Sequence, residues 1–167
     1  MRILLTGAAG RLSSAVCRHL AAEGHEVVAT DQVYRGDLPV KLRVADLLDR
    51  HAVYGLLDGC EAVVHLANHA SMGRVSPPQR LYAENVAMNV NVFHAAVEAG
   101  IKRLVFASSI QAIAGDRQGT DEAAAAKPSC LPYLPLDEHV PACPGNLYAL
   151  SKANTEEMLA LYARLDP

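Results

Sequence analysis

Residues 2–14, RILLTGAAGRLSS, constrain what this chain can fold into more than any other stretch. The apolar run Ile3, Leu4, Leu5 enters Thr6-Gly7, a second glycine follows at Gly10, and helix-forming residues take over from there. That is a strand, a tight turn and a helix start. A turn lacking side chains gathers backbone N–H groups and the positive end of a helix dipole at one point, which suits a pyrophosphate. Gly7 allows the turn, and Gly10 lets backbone approach a ligand closely. The spacing is G-x-x-G-x-x-S, with Ser13 where a third glycine normally permits close helix–strand packing. Alone, the turn also fits an ordinary strand-to-helix junction of any α/β protein.

The next segment narrows the choice. Ala15, Val16, Leu20 and Ala21 recur at helical spacing over residues 13–23, and Gly24 is placed to cap the helix end. Residues 26–30, EVVAT, read as a buried strand that ends at Asp31. In a β-α-β unit of about thirty residues, an acid at the end of the second strand reaches the two ribose hydroxyls of an adenosine. The same carboxylate repels a 2′-phosphate, so the pattern favours NAD over NADP.

Strands and helices continue to alternate. Residues 40–44 read as a short strand, with Val40, Leu42 and Val44 against Lys41 and Arg43. A helix follows through about Leu57, ending at Gly59, and residues 61–67 (EAVVHLA) form the continuous apolar strand expected inside a parallel sheet. A helix over about 78–99 carries two apolar stripes, one of Val86, Val90, Phe93 and Val97, the other of Met88, Val92, Ala95 and Ala99. One stripe covers the sheet, and a second subunit is the economical partner for the other. Residues 102–108 (KRLVFAS) give a fifth strand. The segment 115–145 holds five prolines and is read as a long functional or mobile connection, with a short helix in the DEAAAAK run at 121–127. From Asn146 onward the pattern is helical, with Leu147, Leu150, Met158, Leu161 and Leu165 along one stripe. Together these elements predict an α/β protein with a doubly wound, Rossmann-type parallel sheet, residues 1–167 forming one dinucleotide-binding domain that includes the last helix.

Bulk properties exclude other classes. The net charge is −3 and no Lys/Arg run stands out, which argues against a nucleic-acid surface. No apolar stretch approaches the length of a membrane span, and the start runs directly into a strand with no signal-peptide layout, so a cytoplasmic protein is expected. Four cysteines lack a C-x-x-C pair, and the seven histidines are spread along the chain. No metal site is expected, and the cysteines are read as free, mostly buried thiols.

Tyr148 and Lys152 lie four apart on the last helix and therefore share a face. A phenol normally ionises near pH ~10, and an ammonium held beside it stabilises the phenolate, moving it toward use as a general base near neutral pH. Ser109, at the end of the fifth strand, adds a hydroxyl able to hold a substrate oxygen. Hydride transfer to NAD needs such a base to remove the alcohol proton, so the three residues form one working unit.

With TGAAG at 6–10, Asp31, Asp46-Leu47, HLAN at 65–68, ENV at 84–86, FASS at 106–109, PLDE at 135–138 and YALSK at 148–152, the chain resembles the extended short-chain dehydrogenase/reductase family. Within it, the resemblance is to the NAD-dependent epimerase/dehydratase group, which acts mostly on sugars. The motifs occur in family order, and ASSIQAIAG and LYALSK are similar to the uronate dehydrogenase branch. The resemblance implies that Gly7, Ala9, Gly10, Arg11 and Leu12 line the pyrophosphate turn and that Asp31 holds the adenosine ribose. Asp46 and Leu47 would border the adenine, and Leu66, Ala67 and Asn68 would pass beside the cofactor. Ser109, Tyr148 and Lys152 match the catalytic triad, with Tyr148 and Lys152 also at the cofactor and Lys152 on the nicotinamide ribose. Asn85 falls on a supporting asparagine. Ser108 is the alternative working serine, though register along the fifth strand favours Ser109. Paired helices such as those at 78–99 and 146–165 imply a homodimer.

Three departures stand out. Ser13 replaces a glycine and should crowd the first helix slightly. Asn68 stands where a second alanine is usual. The family's further strands, a proline-containing loop beside the nicotinamide and a smaller substrate domain do not fall within residues 1–167, so poor turnover is expected if those residues are the whole polypeptide. The expected function is NAD-dependent hydride transfer at a carbinol carbon of a sugar or nucleotide sugar. The alternative is a non-catalytic NAD-binding sensor or scaffold, against which the intact Ser109, Tyr148 and Lys152 argue.

Overall fold

Short apolar runs supply every central strand of the sheet. The computed structural model describes residues 1–70, 77–114 and 131–165. Strands β1 (Arg2–Thr6), β2 (Glu26–Asp31), β3 (Arg43–Val44), β4 (Ala62–His65) and β5 (Arg103–Phe106) pair in parallel in the order β3-β2-β1-β4-β5. The helices are α1 (Arg11–Ala22), α2 (Arg50–Leu57), α3 (Pro78–Glu98), α4 (Gln111–Ala114) and α5 (Leu147–Leu165). This is the doubly wound order, and the chain reverses direction across the sheet at β1. Thr6 pairs with Thr30 on one side and His65 on the other, so β1, β2 and β4 end at one level. Ligands of such sheets bind outside those carboxyl ends, at the reversal point.

The chain forms two compact units. One comprises Met1–Asn68, Ala87–Ala107 and Leu161–Pro167, the other His69–Val86 and Ser108–Ala160. In the first, Leu5, Ala8, Cys17, Val27, Ala29 and Leu42 form a buried cluster, with Val16 and Leu20 of α1 packed against it. Full burial of side chains such as Leu4, Leu5 and Val63 contributes roughly 1.5–3 kcal/mol each.

Several elements differ from the sequence expectation. β3 is only two residues long. Leu42 is buried and Val40 half-buried ahead of the strand, whereas Val44 is exposed. As an edge strand β3 has one neighbour, so pairing stops early. The buried face of α1 is Ser13, Ser14 and Cys17, while Ala15 is exposed. In α3, Phe93 joins Met88, Val92 and Ala95 in the interior, and Val90 remains exposed. In α5 the fully buried residues are Ala149, Ser151, Lys152, Ala153 and Thr155; of the leucine stripe, Leu147, Leu150 and Met158 are half-buried and Leu161 and Leu165 are exposed. Small side chains let a helix backbone approach its neighbours closely, which large leucines prevent. The DEAAAAK run at 121–127 lies outside the described residues.

Cys17 and Cys60 carry free thiols, and burial pushes both thiol pKa values up. Cys143 is disulfide-bonded, contrary to the expectation of free thiols throughout. Pairing needs proximity in space, which spacing along the sequence does not report. Among the described residues no group of His, Cys, Asp and Glu could hold a metal ion, and no helix is long and apolar enough to cross a membrane.

Candidate functional site

The turn after β1 is held tightly. Gly7 has φ +68°, and a Cβ there would meet Ala67 N and Cα at 2.8 Å, so both backbone conformation and space demand glycine. Gly10 donates its N–H to Gly7 O at 2.9 Å and serves as the N-cap of α1 without a side-chain cap hydrogen bond. No acidic residue occupies the first turn of α1. The leading N–H groups of the helix are therefore left uncovered by the cap, as an anion-binding turn requires. Arg11 and Leu12 are exposed at this end. Ser13, at the third-glycine position, is buried in an uninterrupted helix, so the serine is accommodated there.

Asp31 sits beside this turn. Its Oδ2 accepts the Ala9 N–H at 3.0 Å and its Oδ1 accepts the Val33 N–H at 3.1 Å. Each oxygen keeps a second lone pair, which suits bonding to ribose hydroxyls. Farther along, Asp46 Oδ1 accepts from Gln32 Nε2 at 2.8 Å and from the Leu48 N–H at 2.9 Å. Leu47 is buried, and its carbonyl accepts from Asn91 Nδ2 at 2.9 Å.

The segment after β4 is fixed by a buried polar network. Thr6 Oγ1 accepts the N–H groups of Leu66 (3.1 Å) and Ala67 (3.2 Å) and lies 2.7 Å from His65 Nδ1. With its lone pairs so used, the Thr6 hydroxyl donates to Nδ1, which assigns the ring hydrogen of His65 to Nε2. Nε2 donates to Asn89 Oδ1 at 2.7 Å, and Asn68 Nδ2 donates to the same oxygen at 2.8 Å. His65 is fully buried and packs against Phe93 and Phe106. Asn68, unusual in its motif, thus has a specific partner on α3. Sequence reading missed Thr6 and Asn89. The one signal was that departure from alanine at Asn68.

The other unit holds Ser109, Tyr148 and Lys152 together with Asn85, whereas the remaining cofactor candidates lie in the first unit. Asn146 begins α5 as its cap, its Oδ1 accepting the Ala149 N–H at 2.9 Å. Its Nδ2 donates to Gln111 Oε1 at 3.3 Å, and the Gln111 N–H donates to Ser109 Oγ at 3.2 Å. This chain of bonds links Ser109 to the start of the helix that carries Tyr148. Ser108 Oγ donates instead to Glu156 Oε1. Lys152 is 4% exposed, with Nζ 5.6 Å from the centroid of the Tyr148 ring. Burial lowers its pKa to about 8, partly offset by the Glu156 carboxylate.

Asn85 is fully buried and its amide is engaged within the protein. Oδ1 accepts the His69 N–H at 2.7 Å, and Nδ2 donates to His69 O at 3.2 Å and Ser151 Oγ at 3.3 Å. Both amide hydrogens are used, so this side chain acts as a clamp on α5 next to Lys152. Glu84 meets both His69 (2.7 Å) and Arg80 (2.6 Å), with Arg80 first in holding its carboxyl below the ordinary pKa.

The family model for the NAD dependent epimerase/dehydratase family matches residues 3–166. The chain belongs to that family. NAD is the family's cofactor, and the uncapped glycine turn with Asp31 beside it fits a dinucleotide. Uronate dehydrogenase from Pseudomonas syringae pv. tomato is 30% identical over 165 residues, covering 96% of this chain and 54% of that protein. UDP-glucose 4-epimerase from Lactobacillus helveticus is 29% identical, covering 99% of this chain and 48% of that protein. Among solved structures, an NAD-bound short-chain dehydrogenase/reductase superfamily protein from Agrobacterium tumefaciens superposes with a TM-score of 0.82 at 30% identity, over 98% of this chain and 45% of that one. The Thermus thermophilus UDP-glucose 4-epimerase complex with NAD gives 0.80 at 29% identity, over 99% and 52%. This epimerase/dehydratase-family chain therefore spans about half the length of the relatives it matches.

Proposed function

We propose that these residues form the NAD-binding and catalytic part of a sugar or nucleotide-sugar oxidoreductase or epimerase. The observation that carries the reading is a lysine buried to 4% exposure with its ammonium 5.6 Å from a tyrosine ring. Burying an ammonium costs hydration, and the other buried positions of α5 are the uncharged Ala149, Ser151, Ala153 and Thr155. NAD, when bound, supplies the hydride acceptor. Tyr148 removes the proton of the substrate alcohol at its phenol oxygen. The Lys152 ammonium, still mostly protonated near neutral pH, stabilises the phenolate that takes up this proton and becomes phenol. The Ser109 hydroxyl holds the same substrate oxygen. The pairing of Ser108 with Glu156 supports Ser109 as the working serine.

Gly7, Ala9, Gly10, Arg11 and Leu12 are assigned to the pyrophosphate, Asp31 to the adenosine ribose, Asp46 and Leu47 to the adenine, and Leu66, Ala67 and Asn68 to the cofactor's flank. Asn85 is assigned a supporting role. The similarity to uronate dehydrogenases and UDP-glucose 4-epimerases supports a sugar substrate. The outward leucines of α5 support a homodimer through α3 and α5. The test is a screen of free uronates, aldoses and nucleotide sugars with the natural-length polypeptide, following NADH formation by absorbance and epimer formation by NMR. The reading expects turnover of at least one class, and turnover of none contradicts it.

A further inference from the structure

Two arginines lie around the turn that carries Asp31. Arg35, in the loop after β2, donates from Nη1 to Ala9 O at 3.0 Å, while the N–H of the same Ala9 is held by Asp31. A guanidinium and the ribose-reading carboxylate therefore bond to the two sides of one peptide residue. Arg18 projects from α1 toward the same loop. Both are occupied by Asp37. Arg35 Nε and Nη2 donate to its two oxygens at 2.5 and 3.0 Å, and Arg18 Nη2 donates to Oδ2 at 2.9 Å and to the Asp37 carbonyl at 3.1 Å. The Arg35 guanidinium, with Arg18 adding to it, lowers the Asp37 carboxyl to about 2, so it is an anion at every pH of interest.

An arginine near the acid at the end of the second strand is what accommodates a 2′-phosphate in enzymes that take NADP. Here the cations are present and the phosphate site is withheld. We propose that Asp37 is a second cofactor-specificity determinant: by holding Arg35 and Arg18 it denies a 2′-phosphate the guanidiniums that would otherwise receive it. Selection for NAD then has two parts, repulsion by Asp31 and masking by Asp37. The proposal rests on the assignment of Asp31 to the adenosine ribose.

The test is fluorescence titration of the chain with NADH and with NADPH, using Asp37→Asn, Asp37→Asn/Arg35→Gln and wild type. Asp37 is exposed, so folding should survive, and a thermal melt of each variant checks it. Asp37→Asn should strengthen NADPH binding by about tenfold and change NADH binding by less than about twofold, because one charge near an exposed phosphate is worth this order of effect. The gain should shrink as salt is raised, and removing Arg35 in the double variant should abolish it. Unchanged NADPH affinity in Asp37→Asn overturns the proposal while leaving the NAD site intact. A gain that persists without Arg35 also overturns it, since simple loss of a negative charge would then suffice. Wild type that binds neither dinucleotide overturns the ribose assignment beneath it.

Discussion

Burying Lys152 takes an ammonium out of water, and that lost hydration lowers its pKa from 10.5 to about 8, with Glu156 pulling the other way. The folded chain therefore gives up this proton before the unfolded chain does. Between about pH 8 and 10.5 the unfolded chain binds more protons, so this residue makes stability rise with pH across that window. Below it the folded state carries a burial cost of roughly 3 kcal/mol relative to neutral lysine. Urea denaturation of wild type and Lys152→Met should show wild type gaining on the variant by a few kcal/mol over that window. Other titrating groups are common to both proteins and cancel. A difference independent of pH contradicts the account. At this scale Tyr148 and Lys152 were legible because both lie on one helix, where spacing alone sets adjacency. Asn89 was not, since His65, Asn68 and Asn89 meet only once β4 and α3 are packed.

The glycine turn and α5 show how far local pattern carries. Gly7 and Gly24 both have positive φ, +68° and +78°, but a Cβ at Gly7 would strike Ala67 backbone whereas one at Gly24 would meet nothing within 4 Å. Gly24→Ala should cost about 1 kcal/mol from backbone strain alone. Gly7→Ala adds a backbone clash and should cost roughly 3 kcal/mol or more and weaken NAD binding, as read by thermal melts and NADH titration. Equal costs for the two would mean that close packing of the turn against Ala67 does not matter. The strand–turn–helix at residues 2–14 was readable because apolar runs and glycine positions act locally. In α5 the same logic found the leucine stripe but not the buried face, which is Ala149, Ser151, Lys152, Ala153 and Thr155, while Leu161 and Leu165 at the end of the stripe are exposed. Hydrophobic periodicity finds the greasiest face, which need not be the one that packs within the chain.

For the whole molecule, those outward leucines carry a consequence. Leu161 and Leu165 are 44% and 70% exposed, and Val90 of α3 is 39% exposed. If they are covered by a second copy, Leu161→Glu/Leu165→Glu should convert a dimer to a monomer in sedimentation equilibrium. The monomer's own stability should change by less than ~0.5 kcal/mol, as for ordinary surface substitutions. A wild-type protein that sediments as a monomer at ~50 μM, well above the Kd of a stable dimer, contradicts the dimer proposal. The doubly wound parallel sheet and the glycine turn were legible in the sequence because β-α-β units repeat a simple apolar rhythm, whereas the order β3-β2-β1-β4-β5 comes from the structure. The division into two compact units was not, since it depends on which segments return to which core. In the proposed reaction, Tyr148, supported by Lys152, performs the proton transfer that accompanies NAD-dependent hydride transfer. Its most direct test compares Tyr148→Phe with wild type, both at natural length, on the substrate that the sugar screen identifies. Tyr148→Phe should lose about 10²–10⁴-fold in kcat while NAD affinity stays within a few-fold of wild type; turnover at the wild-type rate would rule out Tyr148 as the base.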